Sequence, residues 1–534
     1  MLFTRRPPIR SLSIVTTDEH HVRTKWIGIM SALAGNLVML IPWSLAAQSV
    51  CTPLIPEAIE AVSIGGLPTD EVRWRAAERI WTEASQTTKV DIANKLRGGG
   101  LYPAADIIQG RTHDLLREAI IRRRLDLSND LLDLWIAPYS VVAQQDSLLV
   151  PYAKRGESLS VITYDRKHPV WLGSDGVETV LYSAIYLAGA TDILNTIAQV
   201  PREARTQQMN EFALRTASIS KDHYLRWAVG QPGIWQVRGW GCEAGGLDLV
   251  EFTKQRLEGS LGNGYRDYCR APTDADMLIA IGIVNLLAAA SHDSEFISLS
   301  DEDRTTLIDV ARLLVRFMSS HFVVGTIMDE TGQSKSTVDF DPGVWRLHSE
   351  MAYAGDQEAK YPGREPQPQP GVGWDFSHGA RIAWMLLTFA DNSDIAGRDR
   401  DWEWMADSFA RQIAYRVLDD DADVPRFRNY LDGSNGWYRV NFAGREGTGT
   451  PPFGLSRAYL TMPWARLTAR DPRLMTAAVG MWRMLTGATM KHCENFKKIY
   501  VEESYWQDRK PSVSSFVGRN SLELLTFLAA TPVR

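Results

Sequence analysis

Cysteine and positive charge are both scarce in this chain, and each shortage excludes a class of protein. The 534 residues include four cysteines, too few for a disulfide scaffold or a cysteine-rich metal module. Lysine and arginine number 58 against 64 aspartate and glutamate, a net charge of −6, so nucleic acid is not an expected partner. The remaining composition, 45% hydrophobic and 23% charged, is that of a globular protein and not of a disordered, collagenous or multi-span membrane chain.

Several catalytic signatures are also missing. The sequence contains no G-x-S-x-G nucleophile elbow, no P-loop and no H-E-x-x-H pair. The run Gly98-Gly99-Gly100 follows a predicted helix and indicates a helix stop rather than a phosphate cradle. The ten histidines of the chain are not paired at the spacing of metal ligands, so neither a metal nor another cofactor is expected.

A long apolar run occurs once, near the N-terminus. Residues 1–25 carry five basic and two acidic side chains, and residues 26–50 are uncharged and end in small residues. A basic region, an apolar region and an A-x-A-like end are typical of an export signal. About 20 apolar residues could also remain in the bilayer as a signal anchor.

This pattern divides the chain into two parts. Residues 1–47 are expected to be a signal peptide or signal anchor, and residues 48–534 a single catalytic domain. The protein is then periplasmic or secreted, and it touches a membrane only if residues 26–47 are retained. Export would allow a disulfide between Cys242 and Cys269, although two free thiols stay equally open.

Tryptophan is unusually abundant: its 18 residues exceed the 17 tyrosines and 16 phenylalanines. Additional core packing would explain this excess. A cleft whose indole walls stack on sugar rings would explain it equally well, and the sequence alone does not separate the two interpretations.

The body of the chain alternates two kinds of predicted helix. Segments that are apolar nearly all round are Val177–Ala190, Met277–Ala290, Ile382–Ala390 and Phe453–Leu467. Amphipathic segments are Arg202–Val229, Asp301–Met318, Trp402–Val417 and Leu474–Leu485, with further helices predicted at 70–96, 111–138 and Ser521–Ala530. A helix without a polar face must be surrounded by protein, so the alternation predicts inner helices covered by outer ones. We therefore expect an all-α fold, an (α/α)6 toroid of helical hairpins with long loops and a few short strands. Strands are predicted at Ser147–Tyr152, Leu159–Tyr164 and His321–Met328.

The loops that precede the inner helices carry most of the polar and aromatic candidates. Their predicted substrate-binding residues are Asp175, Trp240, Asp274, Trp345, Arg346, Trp374, His378, Arg381, Trp437, Tyr438 and Arg439. Asp175, Asp274 and Asp375 also stand where a helix N-cap is wanted, which is the alternative reason for each. If the inner helices are parallel, these loops converge on one cleft.

At Asp375 the sequence resembles a known family. The segment Gly373-Trp374-Asp375-Phe376-Ser377 is similar to the G-W-D-F-S segment of the trehalases, members of a clan of inverting α/α-toroid glucosidases. This resemblance implies that Asp375 is the general acid. In that family the general base lies in a V-E-K-Y-like segment near the C-terminus, and the residues from Tyr500 to Tyr505 resemble it. The resemblance implies that Glu502 is the general base, and the neighbouring Glu503 could take its place. Two longer trehalase signatures are absent, so the resemblance implies the fold and the acid position rather than trehalose as substrate.

The expected function is glycosidic bond hydrolysis by inversion on an oligo- or polysaccharide. Such a mechanism requires the pKa of Asp375 to be raised, so that the acid keeps its proton, while the base stays ionised. Two alternatives remain open. A polysaccharide lyase could use His378, Tyr438, Asn435 and Arg439 on a uronate-containing glycan, and a non-catalytic glycan-binding protein would need only the aromatic side chains.

Overall fold

The computed structural model of this chain is mostly helical, as the sequence predicts. It describes residues 53–58, 67–98, 101–150, 160–173, 176–229, 247–261, 267–343, 355, 371–419, 424–439, 449–487, 489–502, 522 and 524–530. The predicted targeting segment lies outside these residues.

Sixteen α-helical segments lie within the described residues. They are α1 (Asp70–Arg97), α2 (Leu101–Ile121), α3 (Leu125–Ile136), α4 (Val180–Ala198), α5 (Gln207–Val229), α6 (Leu249–Glu258), α7 (Asp267–Arg270), α8 (Asp274–His292), α9 (Asp301–Ser319), α10 (Ala380–Asp391), α11 (Ser393–Ala396), α12 (Trp402–Gln412), α13 (Ala458–Thr461), α14 (Pro472–Thr486), α15 (Met490–Phe496) and α16 (Leu524–Ala530). A 3₁₀ segment covers Pro463–Arg470, and π-helical turns extend α12 over Ile413–Val417 and α15 over Lys497–Glu502.

Three antiparallel strand pairs connect the helices. The pairs are β1 (Ala143–Val150) with β2 (Ser160–Val170), β3 (Phe322–Met328) with β4 (Ser334–Phe340), and β5 (Leu418–Asp419) with β6 (Arg426–Phe427). The strands β1, β2 and β3 confirm the three predicted ones, although β1 begins four residues earlier and β2 ends six residues later than predicted.

The apolar helices form the centre of the core. In α4 and α8 nearly every side chain is buried, including polar ones such as Asn285. The first turn of α8 is fixed by a capping box, in which Thr273 and Asp276 exchange side-chain to backbone hydrogen bonds. Both helices are long and apolar enough to span a membrane, but most of each is buried by other helices, as expected for core helices.

The amphipathic helices cover these core helices. α9 is typical: Ser300 caps its N-terminus, acidic residues occupy the first turn, and one face alone is buried. Helix α5 packs against α4 and α8, and α9 packs against α8. For these four helices the alternation of buried and half-buried helices agrees with the predicted one.

The core segments contact one another in chain order. Helix α4 packs against α2 and α8, and α10 packs against α8 and the 3₁₀ segment Pro463–Arg470. Helix α16 packs against that 3₁₀ segment and also against α2, the first of the series.

A buried carboxylate joins four of these segments. Asp192 of α4 accepts a hydrogen bond from Nε1 of Trp384 in α10 at 3.1 Å and lies 3.2 Å from Nε2 of His113 in α2. Arg466 of the 3₁₀ segment approaches the same carboxylate at 3.5 Å. Because Asp192 touches three neighbours at once, it fixes where the segments meet.

Most of the tryptophans belong to the core. Ten of the twelve in the described residues are buried, namely Trp74, Trp81, Trp135, Trp171, Trp227, Trp374, Trp384, Trp402, Trp464 and Trp482. Core packing therefore explains these ten. Two cysteines, Cys269 and Cys493, are each disulfide-bonded.

Two local predictions are wrong, and one strand is missing from the predictions. The span predicted as one helix at 111–138 is divided between α2 and α3, because Arg123 adopts a left-handed backbone with φ 57°. The inner helix expected to begin near 454 is replaced by turns, the short α13 and a 3₁₀ segment, since Pro463 has no backbone N–H to donate. Strand β4 was not predicted.

The three predicted aspartate caps have different outcomes. Thr273 caps α8, so Asp274 is its first helical residue. Helix α10 begins after Gly379, and Asp375 caps the turn that precedes it, because its carboxylate accepts from the amides of Ser377 and His378. The helix expected near residue 175 begins at Val180 after Thr179, and Asp175 itself lies outside the described residues.

Candidate functional site

The G-W-D-F-S segment is held at the N-terminal end of α10 by backbone pairing. The amide of Phe376 donates to the carbonyl of Asn429 at 2.8 Å, and the amide of Leu431 donates to that of Trp374 at 3.0 Å. The packing favours glycine at position 379, because a Cβ there would lie 2.8 Å from Cδ1 of Leu431 and 3.1 Å from the carbonyl oxygen of Asp375. The segment therefore has one fixed backbone conformation.

Aromatic stacking supports the segment from the core side. The ring of Phe376 stacks between Trp464 and Phe427, with centroids 4.5 and 4.8 Å away. The indole of Trp374 is 2% exposed and packs near Phe340. The expectation that Trp374 binds substrate is wrong, because its ring is part of the core.

Asp375 is buried, and every contact that it makes is to a donor. Its Oδ1 accepts from the backbone N–H groups of Ser377 and His378 at 3.0 and 3.1 Å, and from the hydroxyl of Ser377. Its Oδ2 accepts from Nδ1 of His378 at 2.8 Å. With 1% exposure, Asp375 has no open face for a substrate.

The ionisation of Asp375 differs from the expectation for a general acid. Burial alone would raise the pKa of this carboxyl, but the charge and hydrogen bond of His378, together with Ser377, hold that pKa below its ordinary value. The expected raised pKa is therefore wrong. An ionised Asp375 accepts protons in hydrogen bonds and has none to give.

His378 is the exposed member of this pair. A carboxylate only accepts, so the contact with Asp375 assigns the ring proton to Nδ1. The hydroxyl of Tyr438 lies 3.3 Å from the same nitrogen. The side chain of His378 is 23% exposed, and Nε2 is left as the nitrogen that can exchange a proton.

Two charged groups from other elements approach Nε2. The Nη2 atom of Arg439 lies 3.4 Å from it, and Oδ2 of Asp274 lies 3.9 Å from it. Asp274 is in turn ion-paired with Arg381 of α10. The packing of α8 against α10 thus brings Asp274, His378 and Arg381 together.

Tyr438 and Arg439 are positioned by the loop that follows β6. Tyr438 exchanges backbone hydrogen bonds with Thr450 and is 1% exposed. Arg439 has a left-handed backbone, φ 50°, and its guanidinium lies 5.2 Å from the Tyr438 ring centroid. A positive φ at a residue with a side chain is strained, and such strain is concentrated at functional sites.

Neighbouring residues of this loop have structural roles. The carbonyl of Trp437 accepts a hydrogen bond from the hydroxyl of Tyr430 at 2.7 Å. The indole ring of Trp437 is half-buried. The side-chain oxygen of Asn435 accepts from the amides of Asn429 and Phe453, so this residue joins two turns.

Five predicted site residues lie outside the described residues: Asp175, Trp240, Trp345, Arg346 and Glu503. The backbone of Glu502 ends the π-helical turn after α15, but its side chain is outside them too. The described residues therefore carry the acid position of the predicted hydrolase and not its base.

Two contacts of the site were missed by the sequence reasoning. The pairing of Asp375 with His378 was not predicted, although a spacing of three residues before a helix was the available signal. The ion pair of Asp274 with Arg381 joins separate helices, and no local pattern announces it.

A cavity of about 390 Å³ lies at the opposite end of α10. Charged side chains line it: Asp114, Arg117, Glu118, Asp391, Arg466 and Arg470. None of the predicted site residues lines this cavity. Within the described part of the chain, no three His, Cys, Asp or Glu side chains converge as metal ligands would.

Comparison of this chain with protein-family models, with curated proteins and with solved structures finds no match.

Proposed function

We propose that this protein is a polysaccharide lyase that cleaves a uronate-containing glycan by β-elimination. The observation that carries the proposal is the partly exposed imidazole of His378, held by buried, ionised Asp375 and faced by Arg439. A base oriented by a carboxylate, with a cation beside it, is suited to removing a proton next to a carboxylate.

The reaction assigns one role to each group. Arg439 binds the uronate carboxylate, which makes the C5 proton more acidic. Nε2 of His378 takes that proton, and the C–H electrons form the C4–C5 double bond as the C4–O bond breaks. The departing oxygen then takes the proton back from the imidazolium, so no water is consumed.

Asp375 acts in this scheme through His378. Its carboxylate keeps Nδ1 protonated and Nε2 free, and it stabilises the imidazolium that forms after proton transfer. Tyr438 is 1% exposed and supports the ring from the buried side.

We further propose that the helices form a closed (α/α)6 toroid over residues 48–534. The contacts from α2 through α4, α8, α10 and the segment Pro463–Arg470 to α16, and from α16 back to α2, support closure. The site lies at the N-terminal ends of α8 and α10, while residues at the C-terminal ends of α10 and of Pro463–Arg470 line the cavity, which supports parallel inner segments.

We also propose that the protein is exported to the periplasm or secreted. Disulfide-bonded Cys269 and Cys493 support this, because such bonds persist in oxidising compartments. Deletion of residues 26–47 should leave the protein in the cytoplasm; appearance of the truncated chain in the periplasm would contradict export by this segment.

An inverting glycoside hydrolase is the second candidate. The observation that favours it is a second carboxylate, Asp274, which is 19% exposed and lies beside the G-W-D-F-S segment. This alternative requires Asp375 to take up a proton when the substrate binds and to act as the acid, with Glu502 or Glu503 as the base.

A product assay separates these functions. Residues 48–534 are incubated with a panel of uronate-containing and neutral glycans, and both new reducing ends and ultraviolet absorbance are followed. A lyase raises both signals, because its product is an unsaturated sugar, whereas a hydrolase raises only the reducing ends. Glycan binding without either signal would identify a binding protein and refute the lyase.

A further inference from the structure

We propose that Arg381 selects anionic sugars by exchanging its ion-pair partner, releasing Asp274 and binding the uronate carboxylate together with Arg439. This inference rests on the proposed function, since it supposes that a uronate reaches His378.

The ion pair lies within reach of a ligand at that imidazole. The side chains of Arg381 and Asp274 are 22% and 19% exposed, close to the 23% of His378. Oδ2 of Asp274 contacts Arg381 and lies 3.9 Å from Nε2 of His378. A sugar placed against Nε2 therefore also meets the pair.

The pair leaves polar atoms unsatisfied. Oδ1 of Asp274 is buried and has no hydrogen-bond partner among the residues that the structure describes, while Nη1 of Arg381 contacts Oδ2 of Asp274 without the alignment of a hydrogen bond. Arginine binds a carboxylate best through two parallel N–H groups, a geometry that this pair does not achieve. A substrate carboxylate that provides it can replace Asp274.

The released carboxylate has a use in the reaction. Once His378 holds the C5 proton, its ring is positively charged, and Asp274 is the carboxylate on the Nε2 side. A negative charge at this distance stabilises the imidazolium. The exchange of the ion-pair partner of Arg381 thus binds the substrate and also frees Asp274 to stabilise the positively charged ring of His378.

Binding is measured by calorimetry in the H378Q background, which prevents turnover. The probes are a uronate oligosaccharide and the same oligosaccharide with its carboxyl groups reduced to alcohols. Adding R381M should weaken binding of the anionic probe by about 10- to 100-fold and leave the neutral probe unchanged. Equal affinity for the anionic probe with and without R381M would overturn the inference.

A second variant distinguishes exchange from simple anchoring. If Asp274 competes with the substrate carboxylate, D274N added to H378Q should tighten binding of the anionic probe several-fold, while D274N alone slows turnover. Unchanged or weaker binding would refute competition. R470M is the matched control, because Arg470 is 19% exposed and ion-paired with Glu403 and Asp407 at the far end of α10; it should not alter either affinity.

Failure of this inference is distinguishable from failure of the proposed function. If unsaturated product forms and R381M leaves affinity for the anionic probe unchanged, the exchange is wrong and the lyase stands. If no unsaturated product forms and R381M still weakens binding, the lyase is wrong and anion selection by Arg381 stands.

Discussion

Single side chains decide which chemistry this site can perform. Asp375 is the residue that the trehalase-like segment assigns as an acid, yet its surroundings consist of donors and its pKa is lowered. His378, three residues later, is 23% exposed, and its Nε2, which Arg439 approaches at 3.4 Å, is the unprotonated nitrogen that proton transfer needs. For these reasons the proposed function assigns proton transfer to the imidazole and not to the carboxyl.

Substitution of Asp375 by asparagine tests its role as the group that orients His378. The amide accepts a hydrogen bond less well and can turn its NH2 toward Nδ1, so the tautomer with Nε2 free is lost. We expect kcat/KM to fall about 10²- to 10⁴-fold, with the free energy of unfolding lowered by about 1–3 kcal/mol. Steady-state kinetics and urea unfolding measure the two effects.

D341N is the matched control for this variant. Asp341 pairs with His321 at 3.1 Å, and that histidine is 21% exposed, yet neither belongs to the site. D341N should therefore keep its activity. A substrate with a good leaving group should rescue D375N if Asp375 is an acid; such a rescue would contradict the orienting role.

At the scale of elements, local sequence pattern accounts for much of the fold. Helices α8 and α9 were predicted within three residues, because apolar periodicity and capping residues are encoded locally. The division between α2 and α3 was not predicted, because it depends on the left-handed backbone of Arg123. The short segments around Pro463 were not predicted either, because they depend on the missing backbone N–H of that proline.

The site is less predictable than the helices. His378, Arg381 and Arg439 were identified as candidates from their place in loops, but their partners were not. The ion pair of Arg381 with Asp274 arises only when α8 packs against α10, which is a tertiary property.

Two glycine substitutions test how tightly the entry to α10 is packed. A Cβ at Gly379 would meet Leu431, so G379A should lower the free energy of unfolding by about 1–3 kcal/mol and reduce activity. A Cβ at Gly110 within α2 meets only Oδ1 of Asp106 at 4.0 Å, so G110A should stabilise by up to about 1 kcal/mol. Thermal unfolding of both variants provides the comparison, and equal shifts would refute the packing argument.

Acid should destabilise the junction of α4 and α5. The pKa of His223 is lowered to about 4, first by burial and then by Arg226. Because the pKa of a histidine in the unfolded chain is about 6.5, the unfolded state binds more protons between these values. Stability is therefore retained above pH 6.5 and falls by up to about 3 kcal/mol as the pH drops toward 4.

Urea unfolding at several pH values checks this contribution. H223Q removes the titrating group, so its free energy of unfolding should decline less between pH 6.5 and pH 4 than that of the wild type. The same decline in both proteins would show that other groups cause the acid sensitivity.

At the scale of the whole molecule, buried charge joins segments that are distant in sequence. The substitution D192N keeps the shape of the side chain but removes the negative charge that faces Arg466 and His113. We expect the free energy of unfolding to fall by about 3–5 kcal/mol. D394N removes an exposed partner of Arg398 and should cost under about 1 kcal/mol. Losses of similar size would contradict the account of Asp192 as the group that joins the core segments.

The central claim is that His378 removes a proton from carbon in a uronate. It is tested most directly with an oligosaccharide carrying deuterium at C5, with the products followed by nuclear magnetic resonance. We predict that wild-type protein releases the deuterium to solvent and forms a C4–C5 double bond, that H378Q does neither, and that H321Q behaves as wild type. Cleavage with the deuterium retained at C5 would contradict the lyase and favour hydrolysis.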